Sequence, residues 1–307
     1  MEASRAVRTV RNYIRLMRPK QWIKNFFVFA PLIFAKELFS PDPLLAALRA
    51  FVAFCLTASA VYILNDISDV EADRLHPEKK HRPIASGAVP AAHGYILAFF
   101  LLAAVILIVL GMNRRFLLLL GFYFFLNLAY SFRLKEVVLL DVFTVASGFM
   151  LRVLGGAYAI DVRVSSWIVL CTLFISLFLG FAKRRGELIM NQDLGIASRR
   201  KVLLRYSVSF LDQMLTITAA GAVISYALYT VAPRTLEIYG TDKMIYTTVF
   251  VLYGVFRYLH IIHSGTSTEN PTNTVTSDVT ILITGILWII ACIVLIYSGG
   301  QIPGFSR

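Results

Sequence analysis

Nine long apolar runs separate the charged residues of this chain. Each run is about as long as the roughly 20 apolar residues that cross a bilayer as a helix. The runs lie at 22–39, 44–64, 92–112, 115–132, 137–160, 165–182, 208–232, 244–262 and 278–298. Hydrophobic residues make up 58% of the 307 residues and charged residues only 16%, whereas soluble domains carry about 25% charged residues. The sequence therefore predicts an all-α, polytopic membrane protein of nine spanning helices, folded as a single domain over 1–307.

The basic residues predict how the chain is oriented. Of the 30 Lys and Arg residues, 21 fall on the side that holds the N-terminus, eight on the other side and one inside a span. Because Lys and Arg collect on the cytoplasmic side, we predict a cytosolic N-terminal segment at 1–21 and cytosolic active-site loops at 65–91 and 183–207. The expected location is the inner, or cytoplasmic, membrane. The net charge of +12 is then a matter of topology and does not indicate a nucleic-acid partner.

Carboxylates cluster where the second run ends, in "NDISDVEAD" (65–73). Asp66, Asp69 and Asp73 are spaced by three and four residues and so share one face of a continuing helix. Hard oxygen ligands without His or Cys suit a Mg²⁺ ion that also binds a phosphate. The alternative is a solvated helix end whose acids pair with nearby bases. Ionisable residues beside a span favour the functional interpretation.

These residues carry a resemblance to a known family. "NDISDVEAD" followed by "HRPIASG" (81–87) resembles the first signature of the UbiA superfamily of intramembrane prenyltransferases, and the resemblance continues through "NLAYSFRLK" (127–135). It implies nine helices around a central cavity that opens to the cytosolic side. It also implies Mg²⁺ as the cofactor, bound to a diphosphate.

One part of the sequence departs from the family pattern. Superfamily members that prenylate aromatic acceptors carry a second D-x-x-x-D motif, where this chain has "KRRGE" (183–187). With "MRPKQWIKN" (17–25), this substitution is similar to the decaprenyl-phosphate phosphoribosyltransferase branch. That branch implies a glycosyltransferase that moves 5-phosphoribosyl from phosphoribosyl diphosphate (PRPP) to a polyprenyl monophosphate and releases pyrophosphate. The product would be a precursor of lipid-linked arabinose for the cell envelope.

The resemblance also assigns roles to individual residues. Asp66, Asp69 and Asp73 would be catalytic and hold the metal, and the substrates would contact Lys24, Asn25, Asn65, Arg82, Tyr130, Lys135, Lys183, Arg184 and Glu187. Each role has a plainer alternative. A lysine or arginine near a helix end can reach lipid headgroups, and a tyrosine there is common in the interfacial belt. Taken by themselves, the three bases at 183–185 are more typical of charge that anchors a helix end.

Three functions stay open on the sequence alone. The first is the phosphoribosyl transfer, and the second is prenyl transfer from a prenyl diphosphate to an aromatic or lipid acceptor. The third is a cation-coupled transporter, which usually carries midplane ionisable sites in repeated halves; none is visible here. The polar segment 263–278 is either a lid over the site or a connector. Membrane lipid is an expected partner, and a homo-oligomer is compatible with the sequence.

Overall fold

The computed structural model describes residues 2–75, 79–193, 201–264, 275 and 277–298, and these residues contain helices but no β-strand. The α-helices are α1 (Glu2–Met17), α2 (Ala30–Phe34), α3 (Pro41–Ser68), α4 (Val70–Arg74), α5 (Ala91–Val109), α6 (Arg114–Phe132), α7 (Leu140–Ala159), α8 (Ser166–Asp193), α9 (Val208–Val231), α10 (Pro233–Tyr239), α11 (Thr248–His263) and α12 (Val279–Tyr297). Eight helices in the described residues have the length and hydropathy to cross a membrane. The predicted all-α membrane class is confirmed, but the count of nine spans is not.

The predicted run that does not form a long α-helix is the first one, at 22–39. This part of the chain forms a 3₁₀ helix at Pro19–Phe29 and then the five-residue α2. Its polar side chains explain the difference, because Asn25 is buried with its amide hydrogen-bonded inside the protein. Pro31 lies in the first turn of α2, where a proline loses no helical hydrogen bond. The run is apolar enough to be predicted as a span, but it folds as a 3₁₀ helix followed by a short α-helix.

The structure gives the secondary structure of the predicted cytosolic segments. Residues 2–17 of the N-terminal segment are helical as α1. The helix α3 continues to Ser68, four residues into the predicted loop at 65–91, and α8 continues to Asp193, well into the predicted loop at 183–207. The segment 263–278, predicted as a lid or connector, lies mostly outside the described residues.

The contacts between Cα atoms divide the chain into two units. The first comprises Met1–Leu32, Glu37–Phe132 and Leu151–Arg163. Its core gathers Val28, Phe54, Phe116 and Tyr123 around α3, α6 and the end of α7. The packing is close: a Cβ added at Gly156 of α7 would lie 2.0 Å from the carbonyl oxygen of Val28. This contact fixes the 3₁₀ segment against α7.

The second unit comprises Ile33–Lys36, Arg133–Met150 and Val164–Arg307. Its larger core packs α8 against α9 and α11, through Phe178, Leu211, Leu215 and Tyr258. A smaller core forms around α12 and includes Tyr226 and Trp288, joined by a hydrogen bond of 2.9 Å. That the whole chain is one domain stays a prediction.

Candidate functional site

The three aspartates of the first motif lie at the junction of α3 and α4. Asp69 is the residue between the two helices, with φ −95° and ψ 9°. The i to i−4 hydrogen bonds nevertheless continue across it, because Asp69 N–H donates to Asn65 and Asp73 N–H donates to Asp69. Asp66 and Asp73 are buried, 2% and 3% exposed, while Asp69 is half-buried. The predicted common face is therefore formed by two buried acids and one at its margin.

Arg82 joins the two buried acids. Its Nη1 donates to Asp66 Oδ1 at 3.1 Å and to Asp73 Oδ2 at 2.6 Å. The turn that follows positions this arginine, since the Val89 N–H donates to the Pro83 carbonyl and Gly87 adopts φ +75°. The "HRPIASG" signature thus encodes a compact turn that returns a guanidinium to the acids. Asp66 and Asp73 lie within reach of a single cation.

Arg18 is a second cation at Asp66, and the sequence interpretation missed it. It forms an ion pair with Asp66 Oδ1, and its guanidinium carbon lies 5.0 Å from the centre of the Tyr62 ring. Arg18 has φ +53°, a left-handed conformation between α1 and Pro19 that is uncommon for a residue with a side chain. The basic run "RLMRPK" was the signal in the sequence.

A cavity of about 170 Å³ lies at this junction, and we call it the first-motif pocket. It is lined by Arg15, Arg18, Asp66, His81, Arg82 and Pro83. Three arginines and a histidine surround one carboxylate, so the pocket carries an excess of donors for an anion. Guanidinium groups bind phosphate oxygens in pairs. The pocket is thus suited to a phosphate group next to the acids.

The donor chemistry of the acids fits Mg²⁺, because carboxylate oxygens are its preferred ligands. No three Asp, Glu, His or Cys side chains converge as a ligand set in the part of the chain that the structure describes. Asp69 Oδ2 instead accepts a hydrogen bond of 3.0 Å from Asn65. The Arg82 guanidinium occupies the space between Asp66 and Asp73 where a cation is stabilised. Asp66 and Asp73 would hold a divalent ion in place of this guanidinium.

Asn25 lies in a buried polar network within the first unit. Its Oδ1 accepts from Arg152 Nε at 2.6 Å, and its Nδ2 donates to Cys55 Sγ at 3.1 Å. Arg152 also donates to the Tyr123 hydroxyl at 2.7 Å and lies over that ring. Burying a guanidinium is costly unless its donors are satisfied, so Asn25 and Tyr123 have a clear structural role in holding Arg152.

Lys24 precedes this network and is electrostatically unusual. Its side chain is half-buried. Burial and, after it, the nearby guanidinium of Arg152 lower the pKa of Lys24 to about 8, while Tyr130 acts in the opposite direction. A desolvated ammonium next to another cation is stabilised by an arriving anion. The structure thus brings Lys24 and Tyr130 near one another. A phosphate next to Lys24 would stabilise the charged form of its side chain.

The second basic motif forms a buried ion cluster in the second unit. Arg184, 2% exposed, donates from Nε to Asp141 Oδ2 at 2.5 Å and from Nη1 to Glu187 Oε2 at 2.7 Å. The Tyr206 hydroxyl donates to Asp141 Oδ1 at 2.7 Å and accepts from the Leu139 N–H. Burial raises the pKa of Tyr206 above its usual range, so the hydroxyl keeps its proton.

The other residues of this motif have different environments. Arg185 is buried and donates to Asp212 Oδ1 at 2.6 Å and to the Ile262 carbonyl at 2.8 Å. Neither Arg184 nor Arg185 is therefore a headgroup anchor. Lys183 is 41% exposed, with its Nζ 3.7 Å from Glu187. Lys135, half-buried in the 3₁₀ turn Leu134–Glu136, also belongs to the second unit.

Comparison with known proteins identifies relatives by sequence. The model of the UbiA prenyltransferase family matches residues 26–274. The decaprenyl-phosphate phosphoribosyltransferase of Mycolicibacterium smegmatis is 39% identical over 224 residues, which cover 72% of this chain and 70% of that protein. The protein of the same name from Mycobacterium tuberculosis is 35% identical over 224 residues, covering 72% and 74% of the two chains.

Comparison of folds leads to the same family. A UbiA homolog from Archaeoglobus fulgidus, solved with DMAPP and Mg²⁺, superposes with a TM-score of 0.70 at 18% identity over 94% of this chain and 99% of that one. The structure of a digeranylgeranylglyceryl phosphate synthase gives 0.63 at 18% identity, covering 96% and 99%. Since the family model spans 26–274 and the fold agrees over nearly the whole chain, this integral membrane protein belongs to the UbiA prenyltransferase family.

Proposed function

We propose that this protein transfers 5-phosphoribosyl from PRPP to a polyprenyl monophosphate of the decaprenyl type and releases pyrophosphate. The observation that carries the proposal is the 35–39% identity to proteins named decaprenyl-phosphate phosphoribosyltransferase. Lys183 supports it, because this half-exposed cation begins the "KRRGE" segment that stands in place of a D-x-x-x-D motif. A reaction with three phosphate-bearing groups needs more cations than one with a single diphosphate.

The acidic residues support a Mg²⁺-dependent reaction. Asp66 and Asp73 would hold the ion through oxygen ligands, with Asp69 at the margin and Asn65 orienting it. Bound Mg²⁺ would neutralise charge on the diphosphate, as it does in other phosphate-transfer sites. Bound Mg²⁺ would compete with Arg82 and Arg18 for the carboxylates of Asp66 and Asp73.

The cations of the first-motif pocket then bind the substrate. Arg82 and Arg18 would donate to phosphate oxygens, with Arg15 and His81 at the pocket wall. Lys24 would add a further cation beside its buried network. These groups stabilise charge that grows on pyrophosphate as its bond to C1 of the ribose breaks, and such fixed charges are typically the largest catalytic contribution.

The acceptor needs no strong base. Its phosphate oxygen is already anionic and attacks C1 from the face opposite the leaving pyrophosphate, forming the new C1–O bond with inversion. The described acidic site contains carboxylates and arginines, and its one imidazole, His81, lies at the pocket wall. In the second unit, we propose that Lys183 and Lys135 contact phosphate. Arg184 and Glu187 would shape that region through their bonds with Asp141.

The proposed location is the cytoplasmic membrane, with the acidic site on the cytosolic side. This proposal follows from the distribution of Lys and Arg and from the supply of PRPP, a soluble metabolite. Polyprenyl phosphate and membrane lipid are the remaining partners. We also propose that the product is used as a precursor of lipid-linked arabinose.

Pyrophosphate release by the detergent-purified protein tests this function. One reaction contains PRPP and decaprenyl phosphate with Mg²⁺, and a parallel reaction contains geranyl diphosphate and an aromatic acid. We expect turnover with the first pair and none with the second. Asp66→Asn should remove this turnover. Its matched control is Asp42→Asn, because Asp42 is an exposed acid at the other end of α3. Turnover with the second pair alone would overturn the phosphoribosyl proposal.

Prenyl transfer is the second candidate, because the family and its solved members favour it. The Archaeoglobus protein was solved with DMAPP and with GPP. The parallel reaction measures this activity directly. Family membership gives no support to the transporter hypothesis, and turnover with either pair would exclude it as the primary function.

A further inference from the structure

We propose that α1 lies in the membrane interface and binds anionic phospholipid through one exposed face. The helix covers Glu2–Met17 and precedes the first-motif pocket. Apolar residues that are exposed on a helix rich in arginine are typical of helices that lie in the plane of a membrane surface. The inference does not depend on the reaction that the protein catalyses.

One side of α1 is docked on the protein. Leu16 is fully buried in a core cluster with Ala60 and Ile63 of α3, and Tyr13 and Met17 pack against the same cluster. The Tyr13 hydroxyl is also 2.7 Å from His93 Nδ1. These contacts fix the rotation of the helix about its axis. They therefore decide which residues face outward.

The outward face is apolar. Val7, Val10 and Ile14 are 69%, 58% and 51% exposed. At 100° per residue they fall within an arc of about 60°, on the part of the apolar side that the protein leaves uncovered. Ile23 and Phe26 of the following 3₁₀ segment are also apolar and exposed. An exposed apolar stripe on a helix that is docked on a membrane-spanning unit is best covered by the same lipid.

An arginine borders the stripe and identifies the headgroup charge. Arg11 is exposed, and at helical spacing it lies next to Val7, at the edge of the stripe opposite Met17; Arg15 lies further round and lines the first-motif pocket. Such side chains lay their methylene groups on the apolar boundary and place the guanidinium among headgroups. Each basic residue near an anionic bilayer adds about 1 kcal/mol of attraction. We therefore assign the occupant as an anionic phospholipid surface rather than a second copy of the chain.

Depth-dependent quenching of the full-length protein tests the inference. Val10→Cys, Ile14→Cys and Asn12→Cys are labelled with an environment-sensitive fluorophore and reconstituted in phosphatidylcholine vesicles with or without phosphatidylglycerol. The unaltered chain gives the background, because Cys55 and Cys292 are buried and Cys171 is half-buried. Asn12 points away from the stripe and is the control position.

The two outcomes are distinct. We expect brominated acyl chains to quench the labels at 10 and 14, and aqueous iodide to quench the label at 12, with a larger contrast when phosphatidylglycerol is present. Equal iodide quenching at all three positions in both lipids would overturn the inference. So would protection at 10 and 14 that follows protein concentration in detergent, since that result identifies a second copy as the occupant.

A charge variant tests the headgroup assignment separately. Arg11→Gln keeps the apolar stripe and removes one cation, and Arg11→Lys is its charge-conserving control. Neither change touches the residues that line the first-motif pocket. We expect Arg11→Gln to weaken the phosphatidylglycerol-dependent part of the quenching by about fivefold, with little change for Arg11→Lys. No difference between the two variants would contradict recognition of an anionic headgroup.

Discussion

Arg184 of α8 and Asp141 of α7 are joined by a hydrogen bond of 2.5 Å, although 43 residues separate them in the sequence. Both side chains are almost fully buried, and Glu187 and Tyr206 complete their hydrogen bonding. A buried ion pair stabilises poorly compared with an apolar pair, yet removing one partner leaves a charge without compensation. The pair therefore holds α7 and α8 in one specific arrangement.

Replacing Arg184 should destabilise the protein strongly. Arg184→Leu leaves Asp141 and Glu187 buried without their shared cation, at an expected cost of about 3–5 kcal/mol. Thermal unfolding in detergent measures this change. Lys183→Leu is the matched control, because the Lys183 side chain is 41% exposed, its ion pair with Glu187 is long at 3.7 Å, and Glu187 keeps its ion pair with Arg184.

A rescue variant separates this structural role from direct substrate binding. Combining Arg184→Leu with Asp141→Asn and Glu187→Gln removes the unpaired charges, and we expect part of the lost stability to return. If Arg184→Leu unfolds at the temperature of the unaltered protein but lacks activity, Arg184 contacts substrate after all.

Removing either buried acid of the first motif should abolish turnover. Asp66→Asn and Asp73→Asn keep the shape of each side chain but lose the charge that would hold Mg²⁺, so we expect rates to fall by about 100-fold or more. The Mg²⁺ concentration for half-maximal rate should rise for any variant that retains activity. Pyrophosphate release over a Mg²⁺ titration measures both effects, with Asp42→Asn as the control. An unchanged titration curve for Asp73→Asn would remove it from the metal ligands.

Much of the fold could be predicted from the sequence, because hydropathy and length are sufficient to identify membrane helices. The predicted span at 22–39 does not form one long α-helix, for a reason that hydropathy does not contain. Asn25 is stabilised by Arg152, which lies 127 residues later, and only the tertiary structure reveals such a partner. The residue types at 65–73 and 81–87 also predicted the acidic site, because these two motifs are short and local.

The parts of the site that the sequence did not predict depend on distant contacts. Arg18 itself has a left-handed backbone conformation just after α1, and in this position it contacts Asp66. Local spacing in the sequence does not encode this contact. The basic motif at 183–185 suggested three similar cations. Burial separates them instead, because Arg184 and Arg185 are ion-paired inside the protein and Lys183 stays half-exposed.

The pKa of Lys24 leads to a specific pH dependence. A lysine is charged below its pKa, so with a value of about 8 the Lys24 side chain is charged at neutral pH and becomes neutral as the pH rises through 8. If it binds a phosphate, the KM for PRPP should rise by up to about tenfold for each pH unit above that point. Initial rates over a pH series measure it.

The control for Lys24 is Lys24→Arg, since a guanidinium stays charged throughout this range. We expect this variant to lose the rise in KM near pH 8 while binding PRPP at lower pH. A rise that persists unchanged in Lys24→Arg would assign the titration to another group.

Gly156 provides a test of the close packing that positions Asn25. A Cβ at this residue would lie 2.0 Å from the Val28 carbonyl oxygen, which is backbone and cannot rotate away. We therefore expect Gly156→Ala to cost about 1–3 kcal/mol, as overpacking does, and to lower activity by displacing the 3₁₀ segment that carries Lys24.

Gly121→Ala is the matched control, because no atom lies within 4 Å of a Cβ there and alanine is favoured over glycine in a helix. Thermal unfolding should place the two variants on opposite sides of the unaltered protein; a Gly156→Ala variant as stable as Gly121→Ala would show that α7 and the 3₁₀ segment do not pack this closely.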